Sequence, residues 1–544
     1  MGHTQLNNTI SSLTFDNTFT RELPEDNEIT NYRRHVLGAC YSRVKPASVA
    51  SPKLIAYSKE AALLLDISET ACKTDEFTQV FVGNKLLSGM DSYAACYGGH
   101  QFGTWAGQLG DGRAINLGEI VNNRSERWTL QLKGAGHTPY SRNADGLAVL
   151  RSSVREFLCS EAMFHLGIPT TRALSVIATG EMVERDMFYD GHPKEEQGAV
   201  VCRLAPSFIR FGNFEIFAFR NDIVTLKKLL DYTIKTDFPH LAENFLYLKQ
   251  SSCKIYLKWF EEVCRRTADM VVEWMRVGFV HGVMNTDNMS ILGLTIDYGP
   301  YGWVENYDQN WTPNTTDAKG RRYCFGNQPA IAQWNLAQLA NAIYPLIEDV
   351  DSLQQALVLY STRFQEQWQN MMASKLGLRN FEYESDKILI KDLLNILSLV
   401  ETDMTLFFRK LALVDFNSDY FINREFILKY FIDVYYMPSQ LTNDYLERMI
   451  DWLNHYAKRM TKDNLPNQAR RMQMDSHNPK YILRNYLGQL AIDKAQEGDF
   501  SLIDKLLELL RYPYSEQPEN EEFAQKRPDW ARNRAGCSML SCSS

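Results

Sequence analysis

The sequence contains no uninterrupted stretch of about eighteen apolar residues, the length that a membrane-spanning helix needs. It also lacks the basic stretch followed by an apolar segment that opens a secretory signal peptide. Its first thirty residues contain only Arg21 and His3 as basic side chains, a pattern atypical of a mitochondrial transit peptide. Leu6 stands where N-myristoylation requires serine or threonine. We therefore expect a cytoplasmic protein with no membrane partner.

An excess of basic residues is absent as well. The 544 residues include 58 Lys and Arg against 66 Asp and Glu, which gives a net charge of −8. Because broad nucleic-acid binding needs a basic surface, we expect no nucleic-acid partner. The length exceeds that of one ordinary domain and predicts two or three packed lobes with a sizeable core.

Paired cysteines of the C-x-x-C type are missing, which argues against a structural zinc ribbon. Most of the ten cysteines are isolated in sequence and are typical of buried thiols in a reducing compartment. The C-terminal tail differs, because Cys537 and Cys542 lie five positions apart in a polar segment. We take these two cysteines as a candidate redox site.

Extended and helical patterns alternate along the chain and predict an α+β protein. Predicted strands cover 114–121, 128–133, 173–178, 199–204 and 289–296, and the glycine-dense segment 97–113 is predicted to be a loop. Predicted helices cover 58–65, 148–166, 222–236, 258–277 and most of 330–510. These patterns divide the chain into a flexible arm (1–30), a β-rich N-lobe (31–215), a C-lobe (216–330), its helical C-terminal part (331–512) and a flexible tail (513–544).

The order of several weak motifs carries more information than any one of them. A glycine loop precedes a strand, a later strand ends at Lys133, and the next helix contains Glu156. A helical part then contains Asn288 and, nine residues later, the Asp297-Tyr-Gly sequence. This is the order of parts in a protein kinase, where a strand lysine pairs with a helix glutamate and Asn and Asp bind Mg²⁺. Each residue alone is more typical of a surface position, and Glu161 is an alternative partner for Lys133.

The chain breaks the kinase pattern at the catalytic base. Kinases place an aspartate five residues before the metal-binding asparagine, and here that position is Val283, which cannot accept a proton. Asp287 precedes Asn288 directly and could serve as the base, or as a turn residue that bonds its own backbone. A reader expecting a kinase would therefore interpret the chain as a pseudokinase.

The glycine loop departs from the kinase pattern too. Its glycines follow the spacing Gly107-x-x-Gly110-x-Gly112, and Arg113 comes directly after them. Arg203 and Arg210 fall in or just after a predicted strand. Three guanidinium groups near one cleft could bind phosphates in a bidentate manner, whereas an adenine pocket would be apolar.

Taken together, these segments resemble the selenoprotein O family of kinase-like protein adenylyltransferases. The resemblance extends from about residue 30 to the end of the chain, and the segments that carry it are 97–103, 108–113, 131–142, 145–156, 281–288, 297–303 and 542–544. It implies a bilobal, kinase-like fold that binds ATP in reversed orientation and transfers AMP to Ser, Thr or Tyr hydroxyl groups of proteins. A mitochondrial location is possible by analogy with the family, and a monomer is the expected state.

The resemblance also implies roles for individual residues. Glu156 would pair with Lys133, Asn288 and Asp297 would bind Mg²⁺ (or Mn²⁺), and Asp287 would be the proton acceptor. The residues implied in nucleotide binding are Gly110, Gly112, Arg113, Lys133, Asp145, Gly146, Arg203, Arg210 and Asp297.

Three functions stay open from the sequence. The first is AMP transfer, the second is UMP transfer on the same scaffold, as credited to some bacterial members under Mn²⁺, and the third is a catalytically silent nucleotide-binding module. The regulation of the tail is open too, because segment 310–314 lacks the cysteine with which some bacterial members pair a tail cysteine. Cys542 could instead pair with Cys537, with Cys324 or with a thiol of another protein.

Overall fold

A seven-stranded antiparallel sheet organises the first two hundred residues in the computed structural model, which describes residues 6–242, 252–416 and 422–541. The strands are β1 (Tyr41–Arg43), β2 (Lys53–Tyr57), β3 (Tyr93–Ala95), β4 (Gly98–Gln101), β5 (Thr104–Gln108), β6 (Ala114–Val121), β7 (Arg127–Lys133), β8 (Arg172–Arg185), β9 (Lys194–Ala205), β10 (Phe279–Val280) and β11 (Gly302–Trp303). The large sheet has the order β1-β3-β6-β7-β9-β8-β2, while β4-β5 and β10-β11 form separate two-stranded ribbons.

Strand register in the centre of the sheet brings key side chains together. β6 and β7 pair from Ala114 opposite Lys133 to Val121 opposite Arg127, across a short turn. On its other edge β7 pairs with β9, and Gln131 lies opposite Arg203. Lys133 therefore ends a strand that is hydrogen-bonded on both sides, which fixes the backbone from which its side chain extends.

Seven α-helices accompany this sheet within the described residues 6–242. They are α1 (Thr18–Glu22), α2 (Lys59–Leu64), α3 (Glu69–Cys72), α4 (Asp75–Val82), α5 (Leu150–His165), α6 (Phe211–Phe219) and α7 (Ile223–Asp237). Two of the helices predicted from the sequence begin at a capping side chain: Ser58 accepts from the Ala61 amide at the start of α2, and Asp222 accepts from the Thr225 amide at the start of α7. α5 packs on β8 and β9 and is buried along most of its length, which holds Glu156 in the interior.

The second half of the chain is helical, as predicted. Its helices are α8 (Ser252–Val277), α9 (Gln328–Ile347), α10 (Val350–Lys375), α11 (Tyr383–Leu399), α12 (Met404–Leu413), α13 (Arg424–Phe431), α14 (Asn443–Asp463), α15 (Asn467–His477), α16 (Asn485–Gln496) and α17 (Ser501–Leu510). One apolar core extends from the sheet through α8, α9, α16 and α17, and a second one lies among α11 to α15. The architecture is thus a mixed one, an antiparallel sheet followed by many helices. No helix within the described ranges is long and apolar enough to span a bilayer.

Two local predictions were wrong. Segment 97–113 is not all loop, because β4 and β5 form a hairpin within it, and the tight turn at Phe102 and Gly103 uses two positive φ angles. Segment 289–296 is not a strand, because the chain reverses at Gly293, whose φ is +65°. Ser290 and Thr295 make single bridges to Arg210 and Thr170 instead of a ladder. Apolar composition does not distinguish a short strand from a buried turn.

Both chain ends pack against the protein, contrary to the prediction of a free arm and tail. Near the start, Ile10, Phe19 and Leu23 are buried in the main core. Near the end, Ala531 and Leu540 are buried, and short 3-10 helices cover Pro518–Ala524 and Asp529–Ala531. The polar composition of these segments is misleading, because scattered apolar residues are buried one at a time while the polar residues between them bind neighbouring elements.

Candidate active site

One cavity of about 830 Å³ collects most of the residues that the sequence singled out. It lies between the glycine loop before β6, the end of β7, the segment after Gly136 and the loop between β10 and β11. The predicted residues that line it are Gly110, Gly112, Arg113, Lys133, Asp145, Gly146, Arg203, Asp287, Asn288 and Asp297. Glu156 and Arg210 are buried behind this lining and contact it through ion pairs.

The predicted lysine–glutamate pair is present. Lys133 Nζ donates to Glu156 Oε2 at 2.6 Å, and the second oxygen of Glu156 accepts from Arg203 Nη1 at 2.9 Å. The alternative partner Glu161 binds Arg172 with both oxygens and is not available to Lys133. Burial lowers the pKa of the Lys133 ammonium, while Glu156 opposes that change. The pair therefore fixes a cation at the wall of the cavity.

Asp297 is the centre of a positively charged cluster. Its carboxylate accepts from the guanidinium groups of Arg203 and Arg210, and Lys133 Nζ lies 3.8 Å from its Oδ1 atom. Burial alone would raise the pKa of Asp297, but Arg210, Arg203 and Lys133 hold it well below its usual value. The backbone of Asp297 is left-handed, with φ of +56°, a conformation that a non-glycine residue seldom adopts. This strained backbone directs an ionised carboxylate into the cavity.

Asp287 sits in the 3-10 turn Thr286–Asn288, close to the β4–β5 hairpin. Gln101 Nε2 donates to Asp287 Oδ2 at 3.3 Å, while Oδ1 is buried and has no hydrogen-bond partner within the described residues. A Cβ atom on Gly99 would lie 2.8 Å from that Oδ1, so a side chain there would collide with the carboxylate. Burial raises the pKa of Asp287 to about 7. This carboxyl group is therefore placed to exchange a proton near neutral pH.

Asn288 and Asp297 offer the hard oxygen ligands that Mg²⁺ prefers. The Asn288 amide donates to the Val283 carbonyl at 2.9 Å, which leaves its own oxygen for a ligand. Both oxygens of Asp297 accept from arginines, yet a carboxylate has further lone pairs that can bind a cation. Because both residues line the same cavity, the donor set fits a divalent metal ion.

Glycines let the backbone approach closely at two places in the wall. Gly110 has φ of +75°, and a Cβ atom there would lie 2.4 Å from the Tyr140 ring. Gly146 has φ of +77°, and a Cβ atom there would lie 2.2 Å from the Gly136 carbonyl oxygen. No other residue type fits either position without moving the wall.

The structure adds residues that the sequence did not single out. Arg185, at the end of β8, binds Asp145 through two hydrogen bonds of 2.7 and 2.8 Å. Gln131 accepts from Arg203, and the buried Asp111 accepts from Asn116 and Gln131 below the glycine loop. These contacts depend on strands and loops that are distant in sequence, so local spacing does not reveal them even where the residue lies inside a motif, as Asp111 and Gln131 do.

The two tail cysteines differ in what the structure describes. Cys537 is buried, and burial raises the pKa of its thiol to about 11, which makes it a poor nucleophile at neutral pH. Cys542 lies outside the described residues. The predicted redox role of this pair stays a prediction.

Comparison with known proteins agrees with these observations. The sequence profile of the family described as protein adenylyltransferase SelO matches residues 29–511. A protein of Rhodopirellula baltica named protein nucleotidyltransferase YdiU is 57% identical over 538 residues, covering 98% of this chain and 99% of that protein. Proteins of the same name are 57% identical over 532 residues in Methylobacillus flagellatus and 51% over 535 residues in Flavobacterium johnsoniae. These two alignments cover 98% of this chain and the full length of both relatives.

Proteins that share only a fold seldom have 51–57% sequence identity over nearly the whole chain. The profile match also includes every residue lining the cavity, from Tyr97 to Thr316. The chain therefore belongs to the protein adenylyltransferase SelO family and is a nucleotidyltransferase.

Proposed function

We propose that this protein transfers AMP from ATP to Ser, Thr or Tyr hydroxyl groups of other proteins. The observation that carries this proposal is the combination within one cavity of a buried carboxyl group, Asp287, and a cationic cluster around Asp297. The first can accept a proton, and the second can hold the polyphosphate of a nucleotide. The description of the matching family, an adenylyltransferase, favours AMP as the transferred group.

The proposed reaction forms one bond and breaks one. The acceptor oxygen attacks the α-phosphorus of ATP, the bond from that phosphorus to the bridging oxygen breaks, and pyrophosphate leaves with the bonding electrons. The proton of the hydroxyl group moves to Asp287, which its burial keeps near the pKa that general-base catalysis needs. Lys133 and Arg203 stabilise the charge that grows on the leaving phosphates.

Asn288 and Asp297 would hold Mg²⁺ or Mn²⁺ through their side-chain oxygens. A divalent cation bound there would supply charge neutralisation for the phosphate oxygens of the nucleotide. The ion pairs of Asp297 with Arg203 and Arg210 keep its carboxylate ionised and oriented when no metal is bound. These residues are thus prepared for a metal–nucleotide complex instead of being assembled by it.

We also propose the reversed orientation of ATP and a kinase-like, two-lobed organisation. The orientation is supported by Arg113, Lys133 and Arg203, three cations that line the cavity and can bind phosphates, where an adenine pocket would be apolar. The organisation is supported by the order of sheet, Lys133–Glu156 pair and helical half. A complex with a non-hydrolysable ATP analogue tests both, because an adenine ring found beside these cations would contradict the orientation.

UMP transfer is the competing activity, since the name of the relatives, protein nucleotidyltransferase, does not say which nucleotide they transfer. Equal concentrations of α-labelled ATP and α-labelled UTP, each with Mg²⁺ or Mn²⁺, test the choice on the wild-type protein and on Asp287→Asn. The proposal predicts protein-bound label from ATP in the wild type and its loss in the variant. Protein-bound label from UTP and none from ATP would contradict AMP transfer and identify UMP transfer as the activity.

A further inference from the structure

The rim of the cavity beside Asp287 has an unusual surface. Phe102 lines the cavity, and its backbone amide donates to Tyr323 Oη at 2.9 Å and to Asn285 Oδ1 at 3.2 Å. The preceding residue, Gln101, is the one that donates to Asp287. The β4–β5 hairpin is therefore fixed to the loop that carries the candidate base, which places its surface beside Asp287.

An aromatic strip leads away from this point over the hairpin. Trp105 of β5 stacks on Phe219 with ring centroids 4.5 Å apart, and His100 lies between Trp105 and Trp334, at 5.2 and 5.5 Å. Phe219 is 67% exposed and Phe102 is 38% exposed. Large aromatic side chains held by stacking and still exposed are typical of protein interaction sites.

A basic loop adjoins the strip on the same rim. Thr316 lines the cavity, and the following loop carries Lys319, Arg321 and Arg322. The buried Asp317 holds this loop by accepting from the backbone amides of Arg322 and Tyr323, and Arg322 lies over the Trp334 ring at 4.6 Å. Lys319 and Arg321 are exposed and form no ion pair with an acid in the described ranges.

We propose that this aromatic strip and basic loop bind the polypeptide segment that carries the acceptor hydroxyl group. This surface selects a segment with acidic residues and a large apolar residue near that hydroxyl, because it joins two exposed rings, Phe102 and Phe219, to three cations of the loop that follows Thr316. The β4–β5 ribbon pairs with no further strand within the described residues, so an extended segment can lie along exposed β5. This inference rests on the proposed protein-directed transfer and names the substrate chemistry.

A peptide library tests the proposal with the full-length enzyme. Each peptide has one central threonine and randomised flanking positions, and the peptides that gain label from α-labelled ATP are sequenced. The wild type should enrich Asp or Glu and large apolar residues. The double variant Lys319→Glu/Arg321→Glu should label acidic peptides about tenfold more slowly and basic peptides faster, and Phe219→Ser should lose the apolar preference.

Matched controls separate a local effect from a general one. Lys391→Glu/Lys458→Glu changes the net charge equally at two exposed lysines of α11 and α14, and it should select the same peptides as the wild type. ATP binding by calorimetry should be equal in all proteins. A wild type that labels peptides without selection, or rim variants that select like the control, would overturn the rim proposal alone. A wild type that labels no peptide and no protein would overturn the proposed function with it.

Discussion

At the level of single residues, Asp297 is linked to more charged groups than any other predicted site residue described above. Arg203, Arg210 and Lys133 all interact with it, and Glu156 shares two of these cations. The sequence predicted a metal ligand here, but it did not predict that two of the three candidate phosphate-binding arginines would contact this carboxylate. The reason is that Arg203 and Arg210 reach Asp297 through the fold, across about ninety residues of sequence.

Replacement of Asp297 should therefore affect both activity and stability. Asp297→Ala leaves two buried guanidinium groups without this partner, and we expect a loss of about 3–5 kcal/mol in unfolding free energy together with loss of transfer. Asn288→Ala is the matched control, because it removes the other proposed metal ligand without breaking an ion pair. Urea unfolding and metal-dependent ATP binding of both variants measure the two effects. Equal stability of the two variants would contradict the structural role, and unchanged metal-dependent ATP binding in Asp297→Ala would contradict the metal role.

Asp287 should act in the chemical step and not in ATP binding. We expect Asp287→Asn to lower kcat by about 10²–10⁴ while ATP affinity changes little, because the amide keeps the shape of the carboxyl group but cannot accept the proton. Single-turnover transfer and calorimetry separate the two quantities. A variant with weak ATP binding and normal transfer at saturation would assign Asp287 to the nucleotide instead.

At the level of elements, the sequence predicted those helices and strands whose position is determined by local sequence pattern. The capped helices α2 and α7, the buried helix α5 and the strands β6 and β7 follow from capping residues and periodicity. It missed the β4–β5 hairpin, whose strands are glycine-rich and short, and it assigned a strand to 289–296, where a left-handed glycine turns the chain. In both cases tertiary contacts, and not propensity, decide the structure.

The C-terminal segment is the element for which the structure changes our prediction most. The sequence predicted a flexible tail over residues 513–544. Instead Leu540 is fully buried, its amide donates to the Pro313 carbonyl, and its carbonyl accepts from Thr315 beside the cavity. Ser541 donates to the Met187 carbonyl in the loop between β8 and β9. The segment thus contacts two loops, one at 313–315 and one at Met187. Both loops are adjacent in sequence to residues that line the cavity.

Removal of the Leu540 side chain should destabilise the protein. We expect Leu540→Ala to cost about 2–4 kcal/mol, because it leaves a cavity in a packed site. Its neighbour Met539 is 39% exposed and provides the control, for which Met539→Ala should change little. Thermal unfolding compares the two variants, and Leu540→Ala should have the lower melting temperature. Equal melting temperatures would instead support the prediction of a free tail.

The redox prediction for the tail is a separate one. A disulfide at Cys542 would tether the end of the chain, and its reduction would then raise activity. Transfer measured with and without dithiothreitol, for the wild type and for Cys542→Ser, tests this. Identical responses of the two proteins to reductant would exclude a switch at this cysteine.

At the level of the whole molecule, buried charges connect the chain after β11 to the helical half and to the C-terminal segment. Glu305, just after β11, binds Arg527 of the C-terminal segment and lies near the buried Asp403–Arg484 pair. Burial is the main reason that its pKa rises from 4.5 to about 7, with Arg484 and Arg527 opposing the rise. The net charge and composition of the chain gave no sign of this site, because it is built from four segments that are distant in sequence.

Glu305 makes stability depend on pH. Because its pKa is higher in the folded than in the unfolded chain, its contribution is full below pH 4.5, declines as the pH rises to about 7 and stays lost above that. Glu305→Gln should therefore gain stability relative to the wild type between pH 4.5 and pH 8, by at most about 3 kcal/mol. Denaturant unfolding at both pH values measures the change. If the stability difference between Glu305→Gln and the wild type is the same at pH 4.5 and at pH 8, Glu305 has an ordinary pKa and the prediction is wrong.

The central claim is that the cavity transfers the nucleotide and not the terminal phosphate. Incubation of the full-length protein and a protein mixture with ATP labelled at the α- or the γ-phosphate tests it directly. AMP transfer predicts protein-bound label from the α position, none from the γ position, and release of pyrophosphate. Label retained from the γ position would identify a kinase, and it would contradict both the proposed transfer and the reversed nucleotide.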